Sequence, residues 1–159
     1  MESRTKVLGH PIHPVLVVFP LGLLSASVAF DVIDRFRDTG SWAQTASATM
    51  AAGVIGGLAA APFGLRDWLA IPAGTRAKRI GLWHAGANVI ALVLFAVSWL
   101  LRRDEPTTAA LIVALAGLAV VGVGGWLGGE LVARLGVGID RDAGLDASSS
   151  LAGSPIIKF

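Results

Sequence analysis

The chain has no cysteine and no tyrosine. Disulfides, thiolate chemistry, Cys-ligated zinc, iron–sulfur clusters and phenolic chemistry are therefore excluded. The redox compartment stays open. Charge is scarce as well: Asp, Glu, Lys and Arg make up 15% of the residues, against roughly a quarter in ordinary globular domains. Four stretches carry none of these residues: Pro14 to Phe30, Thr39 to Leu65, Ile80 to Leu101 and Pro106 to Gly129. All 24 charges fall in the 69 positions between and around them. Helices of a soluble domain need a polar face every second turn, so this placement excludes a soluble enzyme, a nucleic-acid binder and a disordered linker. The pI near 9.7 accompanies a net charge of only +2. It reflects membrane topology and not a nucleic-acid footprint.

What is present fits an all-α, integral membrane four-helix up-down bundle. A membrane-spanning helix needs about 20 apolar residues, and the runs predict spans at about 14–33, 42–65, 80–101 and 107–130. Residues 1–142 read as one transmembrane domain and 143–159, rich in Gly, Asp and Ser, as a short flexible tail. Ser41-x-x-Gln44 suggests a capping box at the second helix, and Pro106-Thr107 opens the fourth. Arg4 and Lys6 ahead of an apolar run, with Ser27-Val28-Ala29 after it, also fit a cleaved leader. Two histidines and three prolines in that segment argue for a retained span.

Nine Lys and Arg residues fall on the side of the termini and the second connection, against four on the other side. The positive-inside rule then places both termini in the cytoplasm, in the inner membrane. All five tryptophans lie near span ends, where the amphipathic ring prefers the interface. Gly53 and Gly57, Gly124 and Gly128, and Gly125 and Gly129 are small residues four apart. They suit close helix packing within the chain or in an oligomer.

Polar residues gather at the cytoplasmic end. Gly9-His10-Pro11-Ile12-His13-Pro14 opens the first span, Arg66-Asp67-Trp68 ends the second, His84 and Asn88 begin the third, and Glu130 and Arg134 end the fourth. Ionisable groups at membrane depth are costly and mark functional sites by default. Glu130 and Arg134, four apart, suit a helix ion pair. Asp67 and Glu130 are expected to pair with Arg66, Arg134 or the histidines. Asn88, Glu130 and Arg134 also suit a purely structural polar layer. Asp31 reads as a solvated helix end, and Arg35, Arg37, Arg102 and Arg103 as solvent caps.

Several chemistries suit this layer. His13 and His84, on parallel helices, can ligate one haem b axially, with Arg66 and Arg134 facing its propionates. His10, His13 and His84 with Asp67 or Glu130 suit a zinc or iron site. Imidazoles and carboxylates can also relay protons. The functions these support are electron transfer with a quinone or a redox protein, metal or proton transport, and a non-enzymatic scaffold whose polar layer locks helix register. No catalytic residue of an enzyme stands out, and the lipid bilayer is the one partner that composition alone implies.

At these residues the sequence resembles a family of prokaryotic membrane proteins, domain of unknown function 2231. Gly9 to Leu24 resembles its opening motif, Ala61 to Trp68 its second, His84 with Asn88 its third and Gly124 to Gly138 its fourth. Family members often carry an aromatic residue or histidine where this chain has Ala133 and Leu135. The resemblance implies a four-helix integral membrane protein. The family is itself distantly similar to haem-b membrane cytochromes, and relatives occur joined to Rieske-type domains. His13 and His84 are the positions onto which an axial-ligand role carries over.

Overall fold

The computed structural model describes residues 1–37, 41–102 and 107–152, and the backbone at 157–158. Four helices dominate it: α1 (Ile12–Arg37), α2 (Ser41–Ala70), α3 (Arg76–Leu101) and α4 (Thr108–Gly129). Each is long and apolar enough to cross a membrane. A π-helical turn, Glu130–Arg134, continues α4. The first three sequence-predicted spans lie inside these helices, which extend into the flanking polar positions, and the fourth, 107–130, exceeds α4 by one residue at each end.

Local chemistry sets the ends. Thr75 caps α3 by accepting from the Lys78 amide at 3.1 Å, and Thr107 caps α4 by accepting from the Ala110 amide at 3.0 Å. Both satisfy orphan donors of a first turn. The α2–α3 turn contains Pro72 and Gly74, the latter at φ +78°, where a side chain would be strained. The turn is fastened by Trp68, whose Nε1 donates to the Lys78 carbonyl at 3.1 Å. Lys78 Nζ returns across the indole, 4.0 Å from its centroid, to the Trp68 carbonyl at 2.7 Å. Pro106, which was expected to open α4 with Thr107, lies outside the described residues.

The helices pack as two hairpins, α1 with α2 and α3 with α4, which meet through α2 against α3 and α1 against α4. Large apolar side chains such as Val18, Phe19, Ile55, Leu58 and Ile112 face outward. The interior is built largely from small and polar residues, with Ala46, Ser27, Ser98 and Ala114 wholly buried. Lipid tails solvate the outer residues, so close packing of small residues, and not apolar burial, holds such helices together. Met50 and Phe95, the largest fully buried side chains, join Leu24, Val28 and Ala114 in one core. A Cβ on Gly53 would lie 2.7 Å from the Leu24 side chain, and one on Gly117 3.1 Å from the Phe95 ring. Those two glycines are therefore the floors on which the core residues rest.

Beyond this core an ion pair corrects two expectations. Asp31 is not a solvated helix end, and Arg102 is not a solvent cap: both are buried, and Arg102 Nη1 donates to Asp31 Oδ1 at 2.5 Å. Arg102 also donates to the Ser98 carbonyl at 3.2 Å and to Ser98 Oγ at 2.8 Å. Among the described residues Asp31 Oδ2 is buried without a hydrogen-bond partner. The charges are compatible with burial because each neutralises the other across the two hairpins. Arg35 is exposed and reaches Thr108. Arg37 is exposed, and Arg103 lies outside the described residues.

The opposite end carries a small cap. Strands β1 (Lys6–Val7), β2 (His10–Pro11) and β3 (Ile157–Lys158) form an antiparallel sheet in the order β2-β1-β3. Residues at the end of the tail thus return to pair with the N-terminal segment. Gly9 turns between β1 and β2 at φ +81°, and a Cβ there would meet Ser150 at 2.8 Å. The Met1 ammonium donates to the Gly136 carbonyl at 2.7 Å, joining the cap to the end of α4.

Candidate functional site

The structure brings His13 and His84 together. His13 occupies the first turn of α1, where Pro11 and Pro14 restrict the backbone on either side. Its Nδ1 lies 3.1 Å from the Ala60 carbonyl of α2, and its ring lies over Gly64, where a Cβ would approach Cε1 to 2.7 Å. His84 sits two turns into α3. Its Nδ1 lies 2.8 Å from the Gly124 carbonyl of α4, and a Cβ on Gly128 would come within 3.1 Å of its Cε1. In each case a histidine on the first helix of a hairpin bonds a carbonyl of the second, above a glycine one turn further on.

A carbonyl oxygen only accepts, so both Nδ1 atoms are protonated in a neutral ring, and each Nε2 carries the lone pair. This is the tautomer that histidine ligands adopt when a backbone carbonyl orients them. The two rings face each other across the seam between the hairpins, with centroids 6.5 Å apart and planes at 90°. Two imidazoles that bind one metal ion from opposite sides, each at about 2 Å, hold their centres roughly 6 Å apart. Asn88 Nδ2 donates to the His84 carbonyl at 2.8 Å and lies 3.4 and 3.2 Å from the two ring nitrogens of His84. Asn88 therefore braces the ring and stands within hydrogen-bond distance of the Nε2 that carries the lone pair.

The other candidates go elsewhere. His10 lies in β2 with Nε2 3.2 Å from Ser150 Oγ, as part of the cap. Among the described residues Asp67 forms an ion pair with neither an arginine nor a histidine. Its carboxylate accepts from Ser3 Oγ at 2.9 and 2.8 Å and from the Arg4 amide at 2.7 Å, which anchors the N-terminal segment. Glu130 pairs with Arg76 at 2.6 Å and not with Arg134. The π-helical turn changes the spacing that would have aligned Glu130 with Arg134. Arg66 and Arg134 are exposed and form no ion pair among the described residues. Ala133 is exposed and Leu135 half-buried at that turn. Among the described residues no three His, Asp or Glu side chains converge as a metal-binding group.

Three residues escaped the sequence reading because they were counted only as interfacial charge. Arg76 ties the start of α3 to the end of α4. Lys78 closes the α2–α3 turn. Lys6 binds Glu2 at 3.3 Å and also Asp140. Burial opposes its charged form, but the Asp140 and Glu2 carboxylates prevail and hold the Lys6 pKa above the ordinary value of 10.5. The Trp68–Lys78 pairing had one visible signal, an aromatic and a cation flanking a Pro/Gly turn.

No curated protein and no solved structure matches the chain. The apolar helices, the His13 and His84 motifs and the glycine-rich end of α4 all fall within residues 9–141, which match the family of predicted membrane proteins DUF2231, and the chain belongs to that family.

Proposed function

We propose that this protein is a membrane electron carrier in which His13 and His84 would hold one haem b. The carrying observation is the pair of facing imidazoles, 6.5 Å between centroids, each oriented through Nδ1 by a carbonyl of its own hairpin. The Ala60 and Gly124 carbonyls fix the tautomer and raise the basicity of each Nε2. Glycines 64 and 128 let the rings lie close to the neighbouring helices. Arg66 and Arg134, exposed at the same end, would neutralise the haem propionates. The haem supplies a one-electron couple when bound, exchanging electrons with a quinone or a redox protein at the cytoplasmic face. That orientation rests on the Lys and Arg distribution.

A second reading has its own support. Every ring hydrogen bond of His13 and His84 to a carbonyl stays within one hairpin, as expected of residues that only lock helix register. The test is a reduced-minus-oxidised absorption spectrum, with metal analysis, on detergent-purified protein from haem-replete cells. Sharp haem bands that vanish in His13→Ala and His84→Ala are the expected result. A folded, colourless, metal-free protein overturns the electron-carrier reading in favour of the scaffold. Stoichiometric metal without haem bands overturns it in favour of a metal site.

A further inference from the structure

We infer that the four helices are two copies of one helical hairpin, and that the histidine pair is a two-faced site to which each copy contributes the equivalent imidazole. A shift of 71 positions carries α1 onto α3: Leu24, Ser27 and Asp31 land on Phe95, Ser98 and Arg102, all of them buried. A shift of 64 carries α2 onto α4: Met50, Gly53 and Ala60 land on Ala114, Gly117 and Gly124, again all buried. Burial alone would be weak evidence, since any helix has a buried stripe. The contacts repeat too. Leu24 covers Gly53 as Phe95 covers Gly117. His13 bonds the Ala60 carbonyl above Gly64 as His84 bonds the Gly124 carbonyl above Gly128. Even the partly buried shell follows, with Val54 corresponding to Leu118 beside the core.

In an up-down bundle α1 and α3 run in one direction, and α2 and α4 in the other. The operation relating the hairpins is then a rotation about an axis along the bundle, as in parallel membrane repeats. A residue close to such an axis meets its own counterpart. That happens twice: His13 meets His84, and Asp31 meets Arg102, 71 positions away. The copies differ in detail. Ser27 Oγ donates to the Leu24 carbonyl, whereas Ser98 Oγ crosses to the Ala110 carbonyl. The π-helical turn follows α4 where α2 continues as an α-helix.

Two consequences follow for chemistry. The Asp31–Arg102 pair is reversible, because Ser27 stands to position 31 as Ser98 stands to position 102. And the group bound at the histidines presents two alike faces, one to each hairpin. A planar metal macrocycle held on both faces has that property, and this second consequence rests on the haem reading above.

The first is tested in the full chain by thermal unfolding in detergent. D31R and R102D alone are expected to lower Tm by on the order of 10 °C, and D31R/R102D to return most of the loss. Ser98→Ala should cost more Tm in the natural chain, and Ser27→Ala more in the exchanged one. An exchanged chain as unstable as its single variants combined, or still dependent on Ser98 over Ser27, overturns the duplication. If the single variants fail to fold, the exchanged chain is read alone: folded near the natural Tm supports the duplication, unfolded overturns it. For the second, H13M and H84M should shift the haem spectrum alike. Unequal shifts overturn the two-faced site while leaving haem binding intact. A haem-free protein removes the electron-carrier reading without altering the exchange result.

Discussion

The two ends of the bundle handle polar groups in opposite ways. At the Asp31 end, charges are sealed: Asp31 and Arg102 are both buried, bonded to each other and backed by Ser98 above the Phe95 and Met50 core. At the histidine end His13, Asp67, His84, Asn88 and Glu130 are half-buried, and no large side chain there is completely enclosed. His13 and His84 each give Nδ1 to a backbone carbonyl, and Asn88 stands 3.2 Å from Nε2 of His84. One end joins the hairpins through a buried ion pair, and the other brings two imidazoles together at the seam between them. A buried charge without its partner is intolerable, whereas a neutral imidazole at a partly open seam is not.

That contrast makes ranked predictions. Arg102→Met leaves the Asp31 carboxylate buried and alone, and should cost about 3–5 kcal/mol of unfolding free energy. His13→Ala should cost about 1–2 kcal/mol, the scale of one hydrogen bond with some packing. Unfolding titrations of both variants in mixed micelles check this, and equal costs would erase the distinction between the ends. Next in size is Gly64→Ala, whose new methyl group displaces the His13 ring and should cost about 1 kcal/mol. Gly86→Ala, with nothing within 4 Å of the added atom, should stay within about 0.5 kcal/mol and serves as its control.

Smaller effects lie around the rim. Arg76→Gln should lose up to about 1 kcal/mol, since its Glu130 partner is reached from a half-exposed position. Arg134→Gln should change nothing measurable, and a reversed order would restore the helix pair that spacing suggests. The smallest effect is pH dependence in the cap. Lys6 has a folded pKa above 10.5, so its stabilisation is fully present below that value and is lost as pH rises through the folded pKa. Hydrogen exchange of the β1 amides should accelerate in that alkaline range, and Lys6→Met should abolish the transition.

Much of this architecture is legible in the sequence. The charge-free runs placed all four helices, because lipid demands long apolar segments and the sequence has no other use for them. The meeting of His13 with His84 followed from their equal depth on parallel helices. Asp31 and Arg102 were misread because each closes an apolar run, and a charge at a run's end looks solvated until its counterpart is known to stand opposite. Asp67 was misassigned because nothing in one sequence says that Ser3 and the Arg4 amide fold back onto it. The repeat was hidden by its side chains: Leu against Phe, Met against Ala and Asp against Arg share burial but not identity. His13 with His84 and Ser27 with Ser98 are among the few matching letters.

The buried ion pair also has a mechanical meaning. Positions 13 and 31 of α1 are separated by roughly 27 Å along a helix that rises 1.5 Å per residue. If the hairpins pivot where Asp31 grips Arg102, each degree of rotation moves the ring of His13 relative to His84 by roughly half an ångström at the end of that arm. A lever of this length turns a barely perceptible slackening at one membrane face into an opening the width of an atom at the other.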